Sequence, residues 1–345
     1  MTHSTSSREA VGQAVGRAAG RGAAGERPVR IALLSRIVGG SATAMRRLRE
    51  LGVEIALDLP GYDALGGDRD RWEAVLRDID GLVVGLQPVD RRLFETAPKL
   101  RYVLRIGTGL DNVDTAAAGE FGVRVDSLAG RNAAAVAEYA FGLLLAAARR
   151  IPEADASVRA GEWTRFSGSH LGGRTLGLIG YGDIGSLMVP KAHGFGMRVL
   201  VHRRSAAAVD EPGVRTVPLD ELLAASDFVS LHVPLTDATR HLLGAREFGL
   251  MRPGVVLVNT ARGDVVDERA LDDALASGRV AAAALDVFPR EPPPPTPLLA
   301  RRNVVLSPHN GGYSDLVMEQ TAAAAVAALA DGLFGAAPPP GVRTP

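Results

Sequence analysis

Cysteine is absent from the 345 residues, which excludes disulfides and thiolate metal sites and fits an intracellular, cytoplasmic setting. Net charge is missing too: 39 basic and 39 acidic side chains give a formal +0. That balance offers no nucleic-acid surface and no call for a polyacidic partner. No uninterrupted apolar run approaches the ~20 residues that span a bilayer, so no membrane partner is expected. Lysine is confined to Lys99 and Lys191. With abundant Ala, Gly, Arg and Pro, this points to a GC-rich bacterial coding sequence. What is present is a 46% hydrophobic chain, long enough for two domains that each bury a core.

Met1 to Arg27 holds almost no large apolar side chains and cannot offset its chain entropy, so residues 1–28 are expected to be a disordered, dispensable tail. It lacks the apolar stretch of a secretory signal. From Val29, strands at Arg30–Ser35, Val53–Asp58, Gly81–Gly85, Arg101–Ile106 and Val123–Ser127 alternate with helices near Ala42–Leu51, Arg71–Arg77, Asp90–Thr96 and Thr115–Phe121. This alternation predicts a parallel sheet covered on both faces. Asn132–Arg150 is too apolar for a one-sided surface helix and is expected between domains or between subunits. Glu138 within it is either a buried, paired carboxylate or the exposed edge of the helix. The alternation then restarts, with strands at Thr175–Ile179, Arg198–His202, Phe228–Val233, Val255–Thr260, Ala282–Val287 and Asn303–Leu306, and helices at Leu219–Ala225 and Glu268–Ser277. Pro190 interrupts the helix that begins at Asp183, without a functional reason. Glu291-Pro292-Pro293-Pro294-Pro295 is a stiff connection. An alanine-rich helix at Tyr313–Leu333 precedes a tail at residues 337–345.

The stretch Thr175-Leu176-Gly177-Leu178-Ile179 runs into Gly180-Tyr181-Gly182-Asp183-Ile184-Gly185. A strand, a G-x-G-x-x-G turn and a helix in this order make a phosphate cradle. The first glycine permits the tight turn, the second lets a pyrophosphate approach, and the third lets helix pack on strand. The N–H groups and positive dipole end of the helix hold the phosphates. Three polar sites lie where later strands end, which is where open α/β sheets bind ligands. Arg262, in Asn259-Thr260-Ala261-Arg262-Gly263, offers a planar fork for a carboxylate. Glu291 follows Asp286-Val287-Phe288, and His309 lies in Ser307-Pro308-His309-Asn310-Gly311-Gly312. Singly, each has a plain alternative: a surface arginine, a solvated loop charge, a structural histidine.

Together the segments resemble the D-isomer-specific 2-hydroxyacid dehydrogenases, from about Val29 to Leu333. The resemblance rests on Gly107-Thr108-Gly109-Leu110-Asp111-Asn112-Val113-Asp114, the helix start Asn132-x-x-x-Val136-Ala137-Glu138, and the segment from Gly177 to Gly185. It continues through His232-Val233-Pro234-Leu235, Val258 to Gly263, Ala284-Leu285-Asp286-Val287-Phe288 and Ser307-Pro308-His309. The implied fold class is α/β: two Rossmann-like or flavodoxin-like, doubly wound parallel-sheet domains with a cleft between them. Residues 29–130 plus 313–336 would form the substrate domain and residues 131–312 the dinucleotide domain. The resemblance also implies a homodimer. Arg262 would clamp the substrate carboxylate and polarise its carbonyl, with backbone N–H groups at Ile106 and Gly107 on the carboxylate's other end. His309 would be the acid/base, oriented by Glu291, and Asp286 would bind the nicotinamide carboxamide. Gly180, Gly182, Asp183, Ile184, Gly185, His232, Val233, Pro234, Thr260, Ala261, His309 and Gly311 would complete the cofactor site. No metal is implied. These roles suit the chemistry: hydride addition puts negative charge on the carbonyl oxygen, which calls for a cation and a proton donor there. A carboxylate beside His309 favours the protonated ring.

NAD-using members end the strand after the glycine turn with an Asp that takes the ribose hydroxyls. Arg203 stands there, followed by Arg204 and Ser205, and no Asp or Glu occurs between Asp183 and Asp210. Two guanidinium groups and a hydroxyl suit a 2′-phosphate, so NADP(H) is expected over NAD(H), which stays possible. The loop Gly85-Leu86-Gln87-Pro88 carries no charge where phosphoglycerate-using members place an arginine, although Arg91 and Arg92 are close by. A small unphosphorylated 2-keto acid such as glyoxylate or hydroxypyruvate is therefore expected. A phosphoglycerate dehydrogenase, a reductase of phosphonate-containing 2-keto acids and a dinucleotide-binding corepressor scaffold remain alternatives. A formate-type dehydrogenase fits poorly, because Gln is expected there in place of Glu291.

Overall fold

The computed structural model describes residues 27–58, 75–107, 109–205, 209–335 and 342–343. The expected tail at residues 1–26 and most of the helix expected at Arg71–Arg77 lie outside them. The chain divides into two compact units, residues 1–132 with 314–345 and residues 133–313.

The first unit is built on β1 (Val29–Leu33), β2 (Val53–Asp58), β3 (Gly81–Val84), β4 (Tyr102–Arg105) and β5 (Arg124–Leu128). These strands pair in parallel in the order β2-β1-β3-β4-β5, one of the two common doubly wound arrangements. Side chains alternate across the sheet. Ile31, Leu33, Val83 and Leu104 face α1 (Arg36–Gly39), α2 (Ala42–Glu50) and the last helix. Ala32, Leu82, Val84 and Val103 face α3 (Arg91–Thr96) and α4 (Thr115–Glu120). Within the expected C-terminal tail, Val342 and Arg343 pair antiparallel with Leu128 and Ser127 and add a short edge strand.

The second unit opens with α5 (Ala133–Ala148) and α6 (Ile151–Arg159). Then come β6 (Thr175–Ile179), α7 (Asp183–Gly194), β7 (Arg198–His202), β8 (Val214–Thr216), α8 (Leu219–Ala225) and β9 (Phe228–Leu231). α9 (Ala245–Leu250), β10 (Val255–Asn259), α10 (Glu268–Ala276), β11 (Val280–Leu285) and β12 (Val304–Leu306) complete it. All seven strands are parallel, in the order β12-β11-β10-β9-β6-β7-β8. That is the dinucleotide-binding order, and the direction of winding reverses between β6 and β9. On β10, Val256 and Val258 pack toward α5 and α7, while Val255 and Leu257 pack toward α8, α9 and α10. The apolar α5 lies on this sheet: Ala137, Ala140 and Leu144 are fully buried, and Glu138 is on its exposed edge. Pro190 falls inside α7.

α11 (Asp315–Phe334) returns to the first unit. By length and composition it could cross a membrane, yet its apolar surface is used in that unit's core, where Ala325, Ala328 and Leu329 are fully buried. It is also held by charge. Arg124 binds Asp331 on the helix at 2.8 Å and Asp126 on β5 at 2.6 Å, and both carboxylates are almost completely buried. Tyr102 donates its hydroxyl to Asp126 at 3.0 Å. Burial first and Asp126 second push that phenol well above its ordinary range. Removing Asp331 takes one carboxylate out of this buried network and leaves Arg124 with Asp126 alone. With Arg124 itself partly exposed, Asp331→Ala is expected to cost about 2–3 kcal/mol in urea denaturation. An unchanged midpoint would show that the network does not anchor the helix.

Candidate active site

Three neighbouring strands deliver the polar residues. β10 ends in the turn that carries Arg262, β11 in Asp286 and the Glu291 connection, and β12 in the loop of His309. The Asn259 side chain shapes the first turn, accepting from Ala261 N–H at 3.0 Å and donating to Arg262 C=O at 2.9 Å. Arg262 also donates to its neighbour's carbonyl at Ala261, at 2.7 Å. The next residue is glycine for a steric reason: a Cβ at Gly263 would sit 2.0 Å from the Phe288 carbonyl carbon. The Arg262 turn thus packs backbone-to-backbone on the segment that leads to Glu291.

Glu291 and His309 are brought together. His309 Nδ1 lies 2.8 and 3.0 Å from the two Glu291 oxygens, and Glu291 Oε1 also accepts from Phe288 N–H at 3.0 Å. The carboxylate is held from both sides and fixes the ring so that Nε2 is the nitrogen turned away from it. Both side chains are partly exposed. His309 sits at φ 54°, in the left-handed region, which costs a non-glycine residue roughly 1–2 kcal/mol.

Asp286 does more than expected. Buried to 1% exposure, it accepts from Asn310 N–H at 2.7 Å, from Gly311 N–H at 2.8 Å and from the Ser307 hydroxyl, while its main-chain carbonyl accepts from His309 N–H at 2.8 Å. Its carboxylate is largely occupied by the histidine loop.

The glycine turn has the features of a cradle. Gly180 has φ 102°, and a Cβ there would lie 2.3 Å from the His232 carbonyl oxygen; at Gly185 it would lie 2.4 Å from the Gly180 oxygen. At Gly182 a Cβ would meet nothing within 4 Å, and no side chain caps α7. The helix N-terminus therefore faces open space with Asp183 and Ile184 in its first turn. Beyond β9, Val233 is half-buried and Pro234 exposed; Ala261 is buried. The hydroxyl of Thr260 and Nδ1 of His232, at the ends of adjacent strands, are buried without a hydrogen-bond partner. Buried orphans of this kind mark groups that a ligand or water completes, so the site fits a dinucleotide.

His232 donates to or accepts from Ser230 through Nε2 at 2.9 Å, and burial lowers its pKa from 6.5 to about 4. The unfolded chain thus takes up a proton near 6.5 that the folded one refuses until about 4. Stability is unaffected above that window and falls as pH drops through it. The expected loss is roughly 1–2 kcal/mol between about pH 7 and about pH 5. Urea titrations of the protein and of His232→Asn measure it, and equal slopes against pH would show that His232 is not the source.

At the end of β7, Arg203 is half-buried, and Arg204 and Ser205 are exposed. The first acid pairing near them is Glu211, which accepts from the Tyr181 hydroxyl in the glycine turn. Burial, then Glu211, raises that phenol to about 12, with Arg203 opposing.

In the first unit, the Ile106 N–H donates to Val84 C=O at 2.8 Å, which leaves it no proton for a substrate carboxylate. Gly107, the other of the expected pair, stands at φ 122°. Arg105 gives no signal in the sequence, where it ends an apolar strand. It is 5% exposed, donates to Ile106 C=O and lies against Gly107. Gln87 is turned inward, accepting from Gly85 N–H and donating to Leu34 C=O, both at 2.8 Å. Arg91 is paired with Glu120 at 2.6 Å.

Residues 141–311 match the D-isomer specific 2-hydroxyacid dehydrogenase, NAD binding domain. A glyoxylate reductase of Korarchaeum cryptofilum is 46% identical over 249 residues, 69% of this chain and 75% of the relative. This chain belongs to the D-isomer-specific 2-hydroxyacid dehydrogenase family. Members from other organisms carry different names. A hydroxypyruvate reductase of Thermotoga maritima is 42% identical over 71% of this chain and 81% of its own. A D-3-phosphoglycerate dehydrogenase of Methanocaldococcus jannaschii is 42% identical over 79% of this chain but 52% of its own. A solved structure from Thermus thermophilus superposes with a TM-score of 0.80 at 36% identity, covering 90% of this chain and 99% of that one. As a member of this family the protein is an oxidoreductase that acts on CH–OH donors and carries an NAD-binding domain.

Proposed function

We propose that the protein reduces a small, unphosphorylated 2-keto acid to the D-2-hydroxy acid, with NADPH as the preferred cofactor. The pairing of His309 with Glu291 carries the reading. The dinucleotide, when bound, supplies the hydride. Every other task falls to the chain. Arg262 holds the substrate carboxylate and draws charge from the carbonyl oxygen. His309 delivers a proton from Nε2 to that oxygen, while Glu291 on Nδ1 fixes the ring. In the reverse direction neutral His309 takes the hydroxyl proton back. Thr260 and His232 have buried polar atoms to complete on the cofactor side.

Three observations support the finer choices. Gln87 faces inward and Arg91 is paired with Glu120, which leaves exposed Arg92 as the other cation near the loop after β3. Arg203 and Arg204 put two guanidinium groups and Ser205 a hydroxyl at the end of β7, with no acid in the strand, and Glu211 beyond it accepts from Tyr181. Exposed Ile151, Val158 and Trp163 on and after α6 suit a second copy of the chain, so we infer a homodimer, which light scattering in solution tests. Rates with glyoxylate, hydroxypyruvate and 3-phosphohydroxypyruvate, each with NADPH and NADH, test the rest. Charge-assisted bonds of ~1.5–3 kcal/mol predict a roughly ten- to hundredfold preference for NADPH. Faster turnover of the phosphorylated acid would move the reading to phosphoglycerate oxidation. No turnover at all would favour a dinucleotide-binding scaffold.

A further inference from the structure

Asp286 is expected to serve the cofactor, yet its carboxylate is turned to the loop that carries His309. Oδ1 accepts from the Ser307 hydroxyl and from Asn310 N–H at 2.7 Å, and Oδ2 accepts from Gly311 N–H at 2.8 Å. The main-chain carbonyl of the same residue takes His309 N–H at 2.8 Å. A carboxylate offers about four acceptor positions, so three are filled before any ligand arrives. The four donors come from Ser307, His309, Asn310 and Gly311, on both sides of the histidine. Between them His309 holds φ 54°, a conformation that a histidine keeps only where its neighbours impose it. Gly311 comes so close that a Cβ there would lie 3.0 Å from Asp286 Oδ2. The residue is 1% exposed, so the charge is desolvated and its hydrogen bonds are strong.

We propose that Asp286 is the positioning residue of the acid/base: it clamps the 307–311 loop in its left-handed form and so sets where the His309 ring stands. The proposal rests on His309 being the proton donor. Glu291 fixes the rotation of the ring from the side chain's end, and Asp286 fixes the backbone from which the ring projects. Neither suffices alone. With a slack loop, His309 keeps Glu291 as a partner but follows it away from the substrate oxygen, and displacement by about 1 Å costs roughly a hundredfold in rate. The fourth acceptor position, on Oδ2, is the one left for a nicotinamide amide. Cofactor binding would then tighten a loop already in place.

Two variants and two kinds of measurement test this. Asp286→Asn keeps the size but turns N–H groups toward N–H groups; Ser307→Ala removes one donor and leaves the carboxylate intact. In the cofactor-free protein, hydrogen exchange of the Asn310 and Gly311 amides should speed up at least tenfold in Asp286→Asn and severalfold in Ser307→Ala, with exchange across Gly180–Gly185 unchanged. With hydroxypyruvate and NADPH, kcat should fall about a hundredfold in the first and three- to tenfold in the second. The KM for the keto acid and the Kd for NADPH should move less than threefold. The Asp286→Asn loss should be the same with a reduced 3-acetylpyridine cofactor, which has no amide N–H to offer. Unchanged exchange at both amides would overturn the proposal, as would a kcat loss that vanishes with the acetylpyridine cofactor. If Asp286→Asn does not fold, Ser307→Ala decides: wild-type exchange and wild-type kcat sink the clamp. A fully active His309→Ala would instead sink the catalytic reading, and the exchange result would still stand for the loop.

Discussion

His309→Ala is expected to lower kcat/KM by about 10²–10⁴-fold, the range in which a positioned general acid contributes. NADPH affinity should stay within a few fold, because the glycine turn and the end of β7 are untouched. Glu291, the hydrogen-bond partner of the ring at 2.8 Å, lies on Nδ1, opposite the nitrogen proposed to react, and so would not replace the lost donor. Steady-state kinetics with a fluorescence titration of NADPH separate the two effects. Glu291→Gln makes a sharper test of the pair. It keeps the size of the side chain but replaces one acceptor oxygen with an N–H donor, so the ring is held less firmly and kcat should fall while the Kd for NADPH stays within a few fold. A kcat equal to that of the unaltered protein would remove Glu291 from the mechanism.

Arg262→Ala is expected to cost a similar factor by a different route. Two charge-assisted bonds of ~1.5–3 kcal/mol each correspond to roughly 10²–10⁴ in kcat/KM. The loss should appear in KM as well as kcat, since in the proposed role the same guanidinium would bind the carboxylate in the ground state and meet charge on the oxygen in the transition state. Arg262→Lys keeps the charge and loses the fork, so it should recover only part of the rate. Wild-type KM and kcat in Arg262→Ala would mean that the carboxylate is held elsewhere.

How much was legible in the sequence depends on whether a contact is local. β6, β7 and α8 stand at their expected bounds, because buried apolar runs end abruptly at Gly180, Arg203 and Ser226. α6 follows α5 after a break of two residues, with Arg150 in the left-handed region and Pro152 in its first turn, and the apolar pattern hides so brief a break. β8 is three residues on a sheet edge, too short for any periodicity. In the site, Arg262, Glu291 and His309 announced themselves by residue type at strand ends. The Tyr181–Glu211 contact spans 30 residues, and the Asp286 clamp 21 to 25, through backbone amides that no motif records. The Ile106 N–H was misjudged for a related reason: the strand pairing that consumes it becomes visible only when β3 lies beside β4.

Reduction of hydroxypyruvate by the purified protein, with the configuration of the glycerate determined, tests the central claim most directly. Glyoxylate would not serve, since its product is achiral. Membership of the D-isomer-specific family together with the proposed roles of Arg262, His309 and Arg203 predicts NADPH-dependent turnover that yields the D-enantiomer alone. The L-enantiomer, a racemate, or no consumption of cofactor with any 2-keto acid would contradict it.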